Sequence, residues 1–146
     1  MQTISHIIVP VDFSKNTDKL VEFAMYVAGK FSAKITFFHV SETYGGYAGF
    51  AHTSTDEAEK ELRAYSEQKM NNLVEDNKEN CSDCSGKVVN GDTVDEILDF
   101  AKNEKADLIL IGTHGAKGLE KILLGSVAER VVKNAPCPTL TYNPYK

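Results

Sequence analysis

Asp107-Leu108-Ile109-Leu110-Ile111-Gly112-Thr113-His114-Gly115 is the stretch on which the fold turns. Leu108 to Ile111 are four apolar residues in a row with no polar alternation. Such a run suits a central parallel strand covered on both faces. Further on, Gly125-Ser126-Val127-Ala128-Glu129 opens a helix. Ser126 reads as its N-cap, with Glu129 completing a capping box. Val127, Ala128, Val131 and Val132 supply one apolar face at helical spacing. A buried strand thus empties into a glycine-punctuated loop that ends at a helix start. A helix start carries unpaired N–H groups and a partial positive charge. Glycines let the backbone approach a phosphate and take positive φ. The stretch therefore predicts an anion site, with glycine after a strand and a capping serine as the plainer reading. It is not a P-loop, since no Gly-Lys-Ser/Thr follows, and not G-x-G-x-x-G, since Lys117 stands where a glycine would be needed.

Outward from this stretch, strands and helices alternate. His6 to Asp12 reads as a first central strand, with Ser14 or Asn16 capping a helix whose apolar face is Leu20, Val21, Ala24, Val27, Ala28 and Phe31. Lys34 to Val40 is a second strand. Ser41 to Ser54 is a long aperiodic loop, rich in Gly, Tyr44, Tyr47 and Phe50, whose aromatics suit covering a ligand or a partner, or simply a disordered surface. Thr55 to about Asn77 is a charged helix, with Asp56, Glu57 and Glu59 in its first turn and a thin stripe of Ala58, Leu62, Tyr65 and Leu73. Lys87-Val88-Val89 is a short third strand, Gly91-Asp92 a turn, and Thr93 to Glu96 a capping box for a helix burying Val94, Ile97, Leu98 and Ala101. Pro136 and Pro138 end the last helix before a fifth strand, Thr139 to Tyr142. The alternation predicts an α/β domain: one open five-stranded parallel sheet with helices on both faces, residues 1–146 as a single domain.

Bulk properties exclude several function classes. The 146 residues suffice for one full core. A net charge of −5 and a pI of about 5.4 argue against a nucleic-acid surface. A nucleotide remains compatible with an acidic protein, because backbone dipoles create local positive potential. No apolar run is long enough for a membrane helix, and no signal peptide is recognised, so a cytoplasmic location is the expectation. Three cysteines are an odd count, unlike a disulfide scaffold. Cys81-Ser82-Asp83-Cys84 precedes a short strand instead of joining a strand to a helix, and no second ligand pair stands nearby. An exposed loop is expected there in place of a redox or zinc site. Cys137, between two prolines, reads as a small buried apolar residue.

Gly112, Gly115, Gly125 and Ser126 satisfy G-2x-G-9x-G-(S/T) at every fixed position. With Pro10-Val11-Asp12-Phe13-Ser14, Val40 and Ala135-Pro136-Cys137-Pro138, the chain resembles the ATP-binding branch of the universal stress protein family over its whole length. The resemblance implies strand order 3-2-1-4-5, a Rossmann-like sheet of the adenine nucleotide hydrolase type. Its switch point then lies between strands one and four, where ligands bind in open sheets, and Asp12 comes beside Gly112. The resemblance implies that Asp12 accepts hydrogen bonds from the ribose, that Pro10 and Val40 line the adenine slot, that Gly112 approaches the ribose and Gly115 the phosphates, and that Gly125, Ser126 and Val127 hold the outer phosphates. Val11, Ser14 and Ile111 belong to the same pocket. His114 and Lys117 add positive charge, although the motif does not fix them. Read blandly, Asp12 is a turn residue and Val40 plain core.

The implied ligand is ATP, or ADP or AMP, compatible with Mg2+ or Mn2+ bridging its phosphates, although no carboxylate pair is dedicated to a metal. No catalytic set stands out. The reading is a cytoplasmic nucleotide-binding regulator in stress response, a homodimer through the edge strand Thr139–Tyr142, with an unidentified regulatory protein partner and neither nucleic acid nor membrane. One alternative is a slow ATP hydrolase or a phosphate- or adenylyl-transfer enzyme. The other is a nucleotide-free interaction module.

Overall fold

The computed structural model describes residues 2–42, 52–81, 83–114 and 124–146, with residues 52–55 described by backbone alone. The Tyr44–Phe50 stretch, Gly115 and Lys117 lie outside the described residues.

Nine elements alternate as expected: β1 (His6–Pro10), α1 (Thr17–Phe31), β2 (Lys34–Ser41), α2 (His52–Asn77), β3 (Cys84–Asn90), α3 (Thr93–Asn103), β4 (Leu108–Gly112), α4 (Ser126–Asn134) and β5 (Thr139–Tyr142). All strand pairs are parallel and the order is β3-β2-β1-β4-β5. The order in which successive strands are added reverses at the β1–β4 seam, where the parallel pair matches Ile7 with Leu108 and Ile8 with Ile109.

The apolar runs read as strands are buried on both faces, with alternate residues entering two cores. Ile7, Val9, Ile35, Phe37, Leu108 and Leu110 pack with Leu20, Val21, Ala24 and Val27 of α1 and with Met70 of α2. Ile8, Phe38, Val40, Ile109 and Ile111 pack with Val94, Ile97 and Ala101 of α3 and with Ala128 and Val131 of α4. Fully covered Leu or Ile side chains contribute about 1.5–3 kcal/mol each through burial, so these central strands are fixed in register by both layers.

Several local expectations are corrected. Thr55 is not the start of α2, which begins at His52 and leaves no acidic residue in its first turn. The inward stripe of α2 is Ser66 and Met70, with Leu73 and Val74 half-buried, while Leu62 and Tyr65 are exposed. Phe31 and Val132 are also exposed. The α3 cap is Asp92, whose carboxylate accepts from the Asp95 amide at 3.0 Å. Thr93 instead donates to Glu42 Oε1 at 2.8 Å. Asn16 occupies the α1 N-cap position without a side-chain capping bond, and Ser14 Oγ accepts from the Asn16 amide. β3 is longer than three residues, starting at Cys84, and Cys81 and Cys84 are joined in a disulfide, half-buried against the α1–α2 core. That pair is therefore not an exposed loop. Cys137 is half-buried, and burial pushes its thiol pKa up.

Candidate functional site

A cavity of ≈ 620 Å³ opens at the carboxyl ends of the strands. Its floor is the β1–β4 seam, where β1 gives way to Val11 and Asp12 and β4 ends at Gly112. Pro10, Val11, Asp12, Ser14, Val40, Ile111, Gly112, His114, Gly125, Ser126 and Val127 all line it. The fold thus brings together every described residue that the sequence nominated, from four separate segments of chain.

The β1–α1 turn is tightly held. Phe13 takes a left-handed φ of 59°, uncommon for a bulky residue and found where surrounding structure enforces it. Its ring lies against His39, 4.6 Å between centroids, and His39 Nδ1 sits 2.7 Å from the Val11 carbonyl oxygen. Asp12 Oδ1 accepts from the Ser14 amide at 3.0 Å and from the Thr17 hydroxyl at 3.5 Å. Asp12 is exposed, and no described residue donates to its Oδ2. One oxygen positions the carboxylate and the other is open to a hydroxyl donor.

Opposite stands the start of α4. Its N-cap is Gly125, not Ser126, with φ −66° and ψ 158° and no side-chain cap. The first intrahelical bond runs from the Glu129 amide to the Gly125 carbonyl at 2.9 Å. The amides of Ser126, Val127 and Ala128 precede it and have no helical partner, as at any helix start. Because Ser126 is inside the helix, its hydroxyl is not consumed as a cap.

The two described glycines of the motif serve different needs, and neither takes positive φ. A Cβ on Gly125 would stand 2.8 Å from the Thr113 carbonyl oxygen, to which the Gly125 amide donates at 2.7 Å. The fold itself demands glycine there. A Cβ on Gly112 would meet the His114 carbonyl at 3.7 Å, Leu20 Cδ2 at 3.9 Å and the Tyr142 carbonyl at 3.9 Å, ordinary contacts all. No described residue requires Gly112, so its missing side chain leaves space on the cavity floor.

Two buried side-chain nitrogens are left over at this site. Asn16 and His114 both line the cavity and are more than nine-tenths buried. Asn16 Nδ2 and His114 Nε2 have no hydrogen-bond partner among the described residues. His114 Nδ1 is 2.7 Å from the Thr113 hydroxyl, and the ring meets Tyr145 edge-on at 4.9 Å. A buried polar atom without a partner costs about 1–3 kcal/mol.

Sequence reasoning missed other lining residues: Thr17, Leu20, Ser41, Glu42, Leu62, Ser66, Thr93, Ile97, Tyr142 and Pro144. Ser41 and Glu42 lie at the carboxyl end of β2, so the strand-end rule could have found them. No sequence signal places Leu62 and Ser66 of α2 over the cavity. Among the described residues no cluster of three His, Cys, Asp or Glu side chains could hold a metal, and no helix is long and apolar enough to cross a membrane.

Comparison with known proteins agrees with this architecture. The universal stress protein family profile matches residues 3–143. A universal stress protein of Methanocaldococcus jannaschii is 34% identical over 134 residues, covering 92% of this chain and 79% of the relative. The structure of universal stress protein UspA from Lactobacillus plantarum superposes with a TM-score of 0.86 at 22% identity, covering 97% of this chain and 99% of that one. An Arabidopsis thaliana universal stress protein with AMP bound gives a TM-score of 0.61 at 19% identity, covering 95% and 91%. At such low identity the two structures speak for the fold alone, whereas the profile match over nearly all residues shows that the chain belongs to the universal stress protein family.

Proposed function

We propose that this chain binds an adenine nucleotide in the cavity at the β1–β4 seam and acts as a nucleotide-dependent regulator. The observation that carries the reading is the pair of glycines. Gly125 is demanded by the backbone, while Gly112 is demanded by none of the described residues and empties the floor between Asp12 and α4. The Arabidopsis relative holds AMP on the same fold, and a cavity of ≈ 620 Å³ is of nucleotide-binding size.

In this reading Pro10, Val11, Val40 and Ile111 flank the base. Asp12 Oδ2 accepts from the ribose hydroxyls. The Ser126 and Val127 amides and the Ser126 hydroxyl take the phosphates, with Gly115 joining them by its place in the motif. Fixed N–H dipoles at a helix start favour such an anion without needing a lysine. The Asn16 amide has a donor, and His114 Nε2 a hydrogen-bonding nitrogen, to spare for the same ligand or its bridging waters. A divalent ion, Mg2+ or Mn2+, would be held chiefly by the phosphates, because the described residues offer no metal cluster.

Regulation fits better than turnover. The hydroxyl–imidazole bond in the cavity, Thr113 with His114, has no carboxylate orienting the ring, so no triad is assembled among the described residues. Bound nucleotide would then act by stabilising one conformation or assembly. The homodimer proposed with it uses β5, which pairs with β4 on one side only and leaves Thr139–Tyr142 as an edge.

Equilibrium dialysis with ATP and AMP tests the reading. Saturable binding at or below millimolar nucleotide supports it, and no binding at that concentration overturns it.

A further inference from the structure

The pair Cys81–Cys84 lies far from the cavity and is not used by the proposed function. It sits where α2, four residues past its last helical position Asn77, turns into β3, whose first residue is Cys84. The junction is already secured without sulfur. The Ile35 amide donates to the Asp83 carbonyl at 2.9 Å, and β3 runs in register with β2 from Ile35↔Cys84 to Ser41↔Asn90. Met70 and Val74 of α2 fill the space that a Cβ on Gly86 would need. A disulfide closing a four-residue ring also removes little chain entropy compared with one closing a long loop. It is thus a poor permanent staple for the fold as a whole, and its hold is confined to the segment between Asn77 and Cys84. The pair also has no helix N-terminus beside it, and follows the carbonyl end of α2. Nothing there stabilises a thiolate as a dedicated thiol oxidoreductase requires.

From this placement we infer that Cys81 and Cys84 are a reversible dithiol–disulfide clasp that sets how firmly the C-terminal end of α2 is held to the start of β3. The partner is a dithiol of the dithiothreitol or protein-dithiol class. Its thiolate attacks one sulfur of the pair, the Cys81–Cys84 bond breaks, and the released cysteine thiolate takes a proton. The reductant's second thiol then displaces the other cysteine, which is also protonated. Two electrons and two protons pass to the pair, and the reductant leaves as its own disulfide. Oxidation runs the same steps backwards. Opening the ring leaves the β2–β3 ladder intact and frees only the last turn of α2 and the connection to Cys84.

The test equilibrates the full chain with graded ratios of reduced to oxidised dithiothreitol, followed by denaturing alkylation and mass measurement. Cys137, the free cysteine, is alkylated in both forms and serves as internal control. The pair is expected to titrate together between two alkylated thiols and none. Amide exchange should quicken roughly tenfold over residues 75–83 in the reduced form and stay unchanged in β3, α3 and α4. The Cys81→Ser/Cys84→Ser variant should fold and match the reduced exchange pattern in either buffer. A pair that never oxidises, a disulfide that opens only on global unfolding, or identical exchange in both forms would overturn the inference. None of these outcomes bears on nucleotide binding.

Discussion

The two ends of the sheet treat their polar groups in opposite ways. At the amino end, Asp107 accepts from the Ser5 amide at 3.0 Å, the Ser5 hydroxyl at 2.8 Å and the His6 amide at 3.0 Å. These bonds hold its carboxyl below the usual carboxylate range. Buried His6 meets the Thr36 hydroxyl at 2.8 Å. At the carboxyl end, two buried side chains keep unpartnered nitrogens, Phe13 sits in a left-handed conformation, and a helix start faces a cavity. The amino end is bonded for stability. The carboxyl end keeps unmet polar capacity among the described residues, the feature on which the proposed binding rests.

The largest expected effect separates the two glycines of the carboxyl end. Gly125→Ala drives a methyl to 2.8 Å from a backbone oxygen that cannot move without breaking the β4 exit. It should destabilise the chain by about 1–3 kcal/mol, read as a lower urea midpoint at unchanged slope. Gly112→Ala makes only ordinary contacts and should stay within about 0.5 kcal/mol of the parent. Its ATP affinity should nevertheless fall about tenfold or more, a change of about 1.4 kcal/mol. If Gly112→Ala bound as well as the parent, the empty floor would have no function and the contrast between the glycines would fail.

A smaller effect is expected at the unmet donors. Asn16→Leu removes a buried amide whose Nδ2 bonds to nothing and which supplies no capping bond to α1. Ligand-free stability should hold or rise by up to about 1 kcal/mol, since an unsatisfied polar group is removed. At the amino end, where partners are present, a comparable deletion should only destabilise. A thermal melt of Asn16→Leu that dropped by several degrees would show the amide to be satisfied, and the two ends would no longer differ.

This contrast also explains which parts of the molecule were legible beforehand. Leu108 to Ile111 declared a doubly covered strand because its apolar run had no alternation, and β1 could be placed the same way, whereas the polar start of β3 was missed and β5 was placed by the prolines before it. Helix starts were placed one residue off at Ser126 and Thr93. A glycine and an aspartate fill those N-caps, and each nominated hydroxyl lies just inside its helix. The α2 stripe failed for a different reason. Leu62 and Tyr65 outrank Ser66 in hydropathy, yet Ser66 faces inward because its hydroxyl accepts from Ser41 Oγ at 3.3 Å across the sheet edge. Such a pairing joins residues remote in sequence and leaves no periodic trace. Asn16 is another case, nominated only as a cap and found buried at the cavity wall, whereas His114 was nominated for the site by its place beside the glycine motif. The cavity residues announced by a local motif were found, and those contributed by packing were not.

The smallest effect belongs to the amino end and concerns pH. Burial lowers the His6 pKa below its ordinary value of 6.5, with the charge of Lys34 adding to the shift and Glu104 and Asp107 opposing it. A lowered pKa means that the unfolded chain binds the proton first. Stability from a neutral His6 is therefore complete above pH 6.5 and is lost as pH falls from there through the folded value. Asp107 acts in the same direction in a lower window, because its folded pKa lies under 3.8. Its contribution is complete above that value and fades as the carboxyl protonates. The urea midpoint should fall between pH 7.5 and 5.5 in the parent, and His6→Gln, which can still bond Thr36 but does not titrate, should flatten that segment. A parent midpoint independent of pH over this range would mean that His6 is solvated in the fold. The amino end would then carry an unmet group of its own.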